Sequence, residues 1–509
     1  MRAAVFVVAT GAAAIAAFAA CSSDDDAGAR PGDDAGTPPT PDAQPPTDAG
    51  PPDASSAPPV FFKSGSRLAI EAVRAADGQK FFRRFFDKQL GTPCDLFRTS
   101  TTTALCVPPS ASLVYADATC TTRAAIAPSA CSKGVKYVAE YAYECGAIKS
   151  VVVSPLGTAL PGTTYYDKSP TCTPNAASPG EILSVGAPLA ANALVSFTLQ
   201  TEPGSAELGR QRWVGSDGTE QVDEGELFDV KKNQPCQGAS VGLASIGGAA
   251  TRCIPRRIAV HRGGGDGPFT DATCTTPAAD YGLSSACPTP QVALERALRP
   301  DSGTCTNNFY FALHDVGAQV TTRYLSQGAN CNPDTSTSRS AWVLGAALPE
   351  ATFPAVAITD FGAGRVRARG LASNGTRLSN GTLFDTVAGA ACSEQKVGNA
   401  YYCVAGTVSA DTDLFSDAAC TMPIVLGPTS CTAYQPPQPY AAVRTALDAN
   451  GCDSVITEMH PLTPVPGLAQ IYRKNGALCE VEAFSGKALA VGPVVDASTL
   501  FETVTLVTE

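Results

Sequence analysis

Apolar positions fall into three regimes along the chain. Residues 3–20 form one apolar run diluted only by Thr10 and Gly11. Residues 22–59 lack any aromatic or branched aliphatic side chain and hold ten prolines and eight aspartates. From residue 60 onward, short alternating or β-branched runs, such as 149–153 and 193–199, are bounded by Gly, Pro, Asn and Asp, which predicts strands. Asp217-Gly218, Asn374-Gly375 and Asn380-Gly381 are hairpin-turn signals. The one helical candidate is 291–298, but its counterpart 136–143 favours a strand, and homologous positions share a structure.

That counterpart exists because the chain repeats itself. Phe-Asp followed seven residues later by Cys occurs at Phe86-Asp87 to Cys94, Phe228-Asp229 to Cys236 and Phe384-Asp385 to Cys392. A turn pair precedes each (Asp77-Gly78, Asp217-Gly218, Asn374-Gly375), and an Asp-Ala-x-Cys-Thr segment follows, at Asp117, Asp271 and Asp417. Each copy closes on a Gly-centred apolar stretch at Gly186, Gly345 or Gly492. A weaker repeat inside each module places an aromatic residue before a cysteine, last at Tyr166 to Cys172, Tyr324 to Cys331 and Tyr472 to Cys479. Units of about 48 residues suit a four-stranded blade or one lobe of a threefold barrel.

The 19 cysteines sort by module. Module one holds Cys94, Cys106, Cys120, Cys131, Cys145 and Cys172. Module two holds Cys236, Cys253, Cys274, Cys287, Cys305 and Cys331. Module three holds Cys392, Cys403, Cys420, Cys431, Cys452 and Cys479, and Cys21 stands alone. Six cysteines per repeat imply three disulfides per module out of fifteen pairings. Sequential pairing, first with second and so on, is expected because each such pair closes a short segment. Zinc sites want cysteines two to four residues apart, and the closest spacing here is 11, so no metal is expected.

Thr10 and Gly11 make residues 3–20 a marginal transmembrane span. With Arg2 before it and Phe18-Ala19-Ala20-Cys21 after it, the run reads as a secretory leader. It resembles a bacterial lipoprotein signal peptide, with Phe18 where Leu is commonest. The resemblance implies cleavage after residue 20 and lipidation of Cys21, hence an exported protein lipid-anchored at the outer membrane or cell surface. Residues 21–59 cannot bury enough apolar surface to offset ordering entropy and are expected to form a disordered acidic tether.

Net charge is −11 and the pI about 4.9, which argues against nucleic acid as a partner. Two basic and eight acidic residues precede residue 60, leaving 34 against 39, so the body is nearly balanced.

Candidate chemistry is sparse. Gly238-Ala239-Ser240-Val241-Gly242 matches a nucleophile elbow, which requires a strand-to-helix turn in an α/β sheet that this chain does not predict. The repeated aspartates could ligate calcium, but threefold recurrence in one local frame favours turns. Arg262-Gly263-Gly264-Gly265-Asp266-Gly267 has no phosphate-loop context and reads as a loop insertion. His261, His314 and His460 sit in unlike sequence frames. The aromatic cluster 81–86 reads as a strand, or as a stacking platform for sugars.

The expected architecture is all-β: three tandem disulfide-stapled antiparallel modules at 60–203, 204–361 and 362–509, packed in series or closed as a propeller-like ring. The expected function is non-catalytic binding or adhesion to an extracellular glycan or protein, without cofactor. A structural envelope component and a secreted hydrolase are the alternatives, the latter lacking a visible acidic or Ser-based cleft.

Overall fold

The computed structural model describes residues 60–128, 135–145, 147–168, 171–176, 180–239, 241, 251–261, 267–283, 287–298, 309–327, 330–334, 339–410, 412–426, 440–447, 454–476, 478–484 and 486–509. The leader, Cys21 and the tether lie outside them.

Each module places four successive strands in a central sheet and ends in a fifth, the joint strand. Module one supplies Leu68–Arg74, Lys80–Asp87, Thr92–Arg98 and Thr103–Val107, with joint strand Ser196–Glu202. Module two supplies Leu208–Gly215, Glu220–Asp229, Gln234–Ala239 and Thr251–Pro255, with joint strand Ala355–Phe361. Module three supplies Val366–Ser373, Thr382–Asp385, Ala390–Val397 and Ala400–Ala405, with joint strand Thr503–Thr508. Each joint strand pairs with the fourth strand of its own module and with the first strand of the next. The last joint strand pairs with Leu68–Arg74 of module one. Together with the ladders inside each module, this makes a closed cycle of antiparallel pairs.

The modules are therefore packed in series and close into a ring. Each module gives five strands to the ring, four consecutive ones and the joint strand. Fifteen antiparallel steps is an odd number, so the strands cannot all run up and down one barrel axis, and the ribbon must bend. The first hairpin of modules one and two breaks register, at Glu71/Ala72 and Arg210/Arg212, as bulges do where strands bend. In module three, Asn380-Gly381 interrupts the same hairpin. Gly381 has φ +81°, and a Cβ there would meet the Arg369 carbonyl oxygen at 2.3 Å, so only glycine fits.

A hydrophobic core lies at each joint. Leu68, Ile70, Phe85 and Cys94 of module one pack on Phe197 and on Trp213 of module two. Leu208, Leu227 and Cys236 of module two pack on Val356 and on Leu378 of module three. Val366, Leu383, Cys403 and Val504 of module three pack on Val73 and Phe81 of module one.

Turn hooks run in the same cyclic sense. Asp217 of the module-two turn accepts the backbone N–H groups of Arg67 and Leu68 through Oδ2, at 3.1 and 2.7 Å. Asp77 of the module-one turn accepts the Gly364 N–H at 3.1 Å. Ser373, at the module-three turn, meets Ser205 at 3.2 Å.

Two of the three Phe-Asp aspartates are bound by a fork. Asp87, fully buried, accepts two bonds from Arg67, and Arg67 also donates to the Ala193 carbonyl at 2.6 Å. Asp385 and Arg365 repeat this, with Arg365 donating to the Leu500 carbonyl. In module two the same backbone position is Glu207, identified by the bond from Val230 N–H that mirrors Lys88 to Arg67 and Thr386 to Arg365. There Lys232 takes over and reaches the Thr352 carbonyl at 2.9 Å.

Glu224 breaks the repeat at the contact between modules two and three. Its carboxylate accepts the Gly381 N–H at 2.8 Å, beside Arg377, whose guanidinium lies between the Phe61 and Phe361 rings. Burial, helped by neighbouring Asp223, pushes the Glu224 carboxyl up to about 8 against the opposing pull of Gly381 N–H and Arg377. The folded state thus holds this proton more tightly than the unfolded chain. The contribution is fully present below about pH 4 and is lost as pH rises toward 8. Glu224→Gln is expected to be more stable than the native chain at about pH 9 and little changed at about pH 5. Urea midpoints at the two pH values that shift equally would refute this.

Outside the ring, each module carries a small barrel. In module one Ser110–Tyr115, Arg123–Pro128, Gly180–Val185, Ala147–Ala159 and Tyr137–Glu144 close on themselves through one parallel pair. In module two Ile258–His261, Ala278–Asp280, Ala341–Ala347, Phe309–Val320 and Val292–Leu298 do the same. Module three repeats four of these five ladders among the described residues. The helical candidate at 291–298 is a barrel strand, Val292–Leu298, like its counterparts Tyr137–Glu144 and Tyr440–Leu447. Tertiary pairing overrides its helical propensity.

Candidate functional site: three pinned hairpins

One further hairpin projects from each barrel. The three are Thr164–Lys168 with Cys172–Ala176, Arg323–Gln327 with Asn330–Asp334, and Gln470–Asn475 with Leu478–Ala483. The weak internal repeat finds its meaning here, because its aromatic residues are cross-strand partners. Tyr115 pairs with Tyr166, Phe269 with Tyr324 and Phe415 with Tyr472.

A disulfide pins each hairpin to an Asp-capped turn: Cys120–Cys172, Cys274–Cys331 and Cys420–Cys479. The third cysteine of each module has φ of 50–51°, a left-handed conformation that an ordinary side chain adopts only when its surroundings fix it. The aspartates supply that fixing. Asp271 accepts the N–H groups of Thr273, Thr275 and Thr276 at 3.0, 3.2 and 2.7 Å. Asp117 does the same for Thr119, Thr121 and Thr122, and Asp417 for Thr421 and Met422. These carboxylates are occupied by backbone donors, the arrangement of a turn. Among the described residues no group of three His, Cys, Asp or Glu side chains is placed to hold a metal ion.

Bonds from the threonine hydroxyls and N–H groups hold the Asp117 and Asp271 carboxyls well below the ordinary range, and Asp417 is lowered by Thr421 and Met422. A carboxyl depressed on folding stabilises above its unfolded pKa, and that contribution fades as pH drops below about 4. The triple change of Asp117, Asp271 and Asp417 to Asn is expected to flatten the acid limb of a stability–pH curve. An unchanged acid limb in urea titrations would refute it.

The disulfides correct the sequential expectation. First pairs with second in every module, as Cys94–Cys106, Cys236–Cys253 and Cys392–Cys403, across adjacent ring strands. Third pairs with sixth, since the hairpin folds back onto the turn. Cys145 leaves its module and joins Cys287 of module two, with Cα atoms 5.3 Å apart. Cys131, Cys305, Cys431 and Cys452 lie outside the described residues. The seven bridges fit an oxidising compartment and an exported chain.

The other candidates are placed as follows. Gly238 lies in an antiparallel ladder opposite Cys253, not in an α/β sheet, and Ser240 lies outside the described residues, as do 262–266. The cluster 81–86 is strand Lys80–Asp87, with Phe81 and Phe85 in two joint cores. The histidines are not all in unlike frames. His314 and His460 are equivalent barrel positions, each bonding a repeat glycine carbonyl (Gly345 at 3.2 Å, Gly492 at 2.9 Å) and a carboxylate (Glu295 at 3.0 Å, Glu458 at 3.3 Å). Ser154 fills that place in module one, which is why sequence comparison misses it. His261 is buried and bonds the Ala278 carbonyl at 2.8 Å.

The described body thus defines an all-β protein: a closed threefold ring of disulfide-stapled modules, each presenting one pinned hairpin. The chain belongs to the family described as a family of unknown function, DUF7481, which matches residues 49–463. No curated protein and no solved structure matches it.

Proposed function

We propose that this is an exported, lipid-anchored envelope protein whose three hairpins bind an extracellular glycan or protein non-catalytically. The observation that carries the reading is the repetition of one disulfide-pinned hairpin on a closed ring. Three equivalent elements on a common frame raise avidity without any new contact, provided that the partner is itself repetitive. The module-three hairpin is the most apolar of them, with Leu478 and Val481 more than half exposed and Met422 beside its anchoring turn. Both side chains are open to a partner on this hairpin. Cys21, after an apolar leader, supports anchoring, and residues 22–59 would hold the ring away from the bilayer.

The test uses the whole mature body, residues 60–509, on glycan arrays and on intact cells. Binding is expected, and Leu478→Ser with Val481→Ser is expected to weaken it at least tenfold. Binding unchanged after all three hairpin tips are replaced would overturn the reading, and binding to nothing would favour a structural envelope role. Cys21→Ala is expected to move the full-length protein from the membrane fraction to the soluble fraction.

A further inference from the structure

We infer that three aromatic rings on module one, Phe97, Tyr141 and Tyr143, form a platform that binds neutral pyranose units of an extracellular polysaccharide. It is a second site, apart from the hairpins, and it stands whatever they bind. Phe97 lies on ring strand Thr92–Arg98, and both tyrosines lie on barrel strand Tyr137–Glu144. The Phe97 and Tyr141 rings stack, with centroids 5.2 Å apart and 30° between their planes. Tyr143 follows two residues along the strand, its centroid 6.3 Å from that of Tyr141. The row starts at the core of Val107, Tyr137, Val153 and Leu194, against which Phe97 packs, and ends at Tyr143, which is 56% exposed.

The repeat itself does not require rings here. Three residues after the first cysteine, modules two and three have Ala239 and Gln395 in place of Phe97. The parallel barrel pairs align Tyr137 with Val292 and Tyr440, so Tyr141 corresponds to Arg296 and Arg444. Two modules thus build the same strands with no aromatic residue at either position. In module one the inner end of the row is fixed by packing. The outer end is fixed by Cys145, two residues beyond Tyr143 and bonded to Cys287 of module two. Tyrosines held this way lose little freedom when they take up a ligand.

The polar groups beside the rings select that ligand. The axial C–H groups of a pyranose offer an apolar, weakly positive face to the negative face of an aromatic ring. Its hydroxyls need acceptors at the rim. Asp95, exposed and two residues before Phe97 on the same strand, supplies a carboxylate. Partial burial raises the Tyr141 phenol against its hydrogen bond with Ser110, and Tyr143 and Asp95 stand near enough to add to the rise. Arg84, the cation that acts on Asp95, is already held by Glu71. Glu144 and Lys149, next to Tyr143, pair with each other at 3.2 Å. The carboxylate left beside the rings repels uronates and sialates, so a neutral sugar is the complement of this surface.

Affinity electrophoresis of the full mature protein, in native gels cast with laminarin, hydroxyethylcellulose, dextran or alginate, tests the inference. Retardation by at least one of the neutral polysaccharides is expected, and none by alginate. Tyr143→Ala is expected to weaken binding about tenfold or more, and Tyr143→Phe, which keeps the ring, to change it little. Replacing all three hairpin tips is expected to leave this retardation in place, so a failure of the hairpin reading and a failure here give different gels. Without any variant, nitration of Tyr143 read by peptide mapping is expected to slow in the retarding polysaccharide. Retardation by no neutral polysaccharide, preference for alginate, or equal retardation of native and Tyr143→Ala protein would overturn the inference. So would loss of retardation on replacing the hairpin tips alone, or an unchanged rate of Tyr143 nitration.

Discussion

A chain that ends at Glu502 is expected to lose the cooperative fold of the whole body, not of module three alone. Deleting Thr503–Glu509 removes the strand that pairs with both Ala400–Ala405 and Leu68–Arg74. It also strips Val504 from the core formed with Val73, Phe81 and Val366. Val504→Ala alone is expected to cost about 2 kcal/mol, from two buried methyl groups and the cavity they leave. The truncation adds the loss of two ladders and leaves two unpaired strand edges, so its cost exceeds that several-fold. The distinguishing readout is Trp213, which sits at the opposite joint, between modules one and two. If the ring folds as a unit, Trp213 fluorescence shifts to a lower urea midpoint together with far-UV signal. A Trp213 transition left where it was would show that each joint stands alone.

The second large effect is at Arg67. Arg67→Met leaves the Asp87 carboxylate fully buried without its fork and frees the Ala193 carbonyl. Breaking one side of a buried pair costs about 3–5 kcal/mol, because the orphaned charge keeps its desolvation penalty. Arg365→Met is expected to match it at Asp385. By contrast Lys231→Met, which removes an exposed partner of Glu207, is expected to cost the least of the three. A thermal or urea series on the three variants checks the order. Equal small losses throughout would mean that the forks do not hold the turns before the joint strands.

Much of the body was legible because its signals are local. The Phe-Asp and Asp-Ala-x-Cys segments mark turns whose side chains bond backbone two to five residues away, and such contacts recur wherever the residues do. The first-to-second disulfide is of the same kind, spanning neighbouring strands. The third-to-sixth bridges and the inter-module Cys145–Cys287 bridge are not. They depend on where a hairpin lands and on which module stands beside it. The equivalence of His314 and His460 was hidden for a related reason: strand register aligns them, while the surrounding sequence does not.

The sequence by itself determined the number of modules, their β character, the six cysteines of each and the leader-like start, since composition and short-range repetition carry these. Only the tertiary structure decided that the modules share joint strands, that a core forms at each joint and that the last strand returns to the first. Hydrogen-bonded ladders join segments hundreds of residues apart, and no local pattern records which partner a strand edge meets.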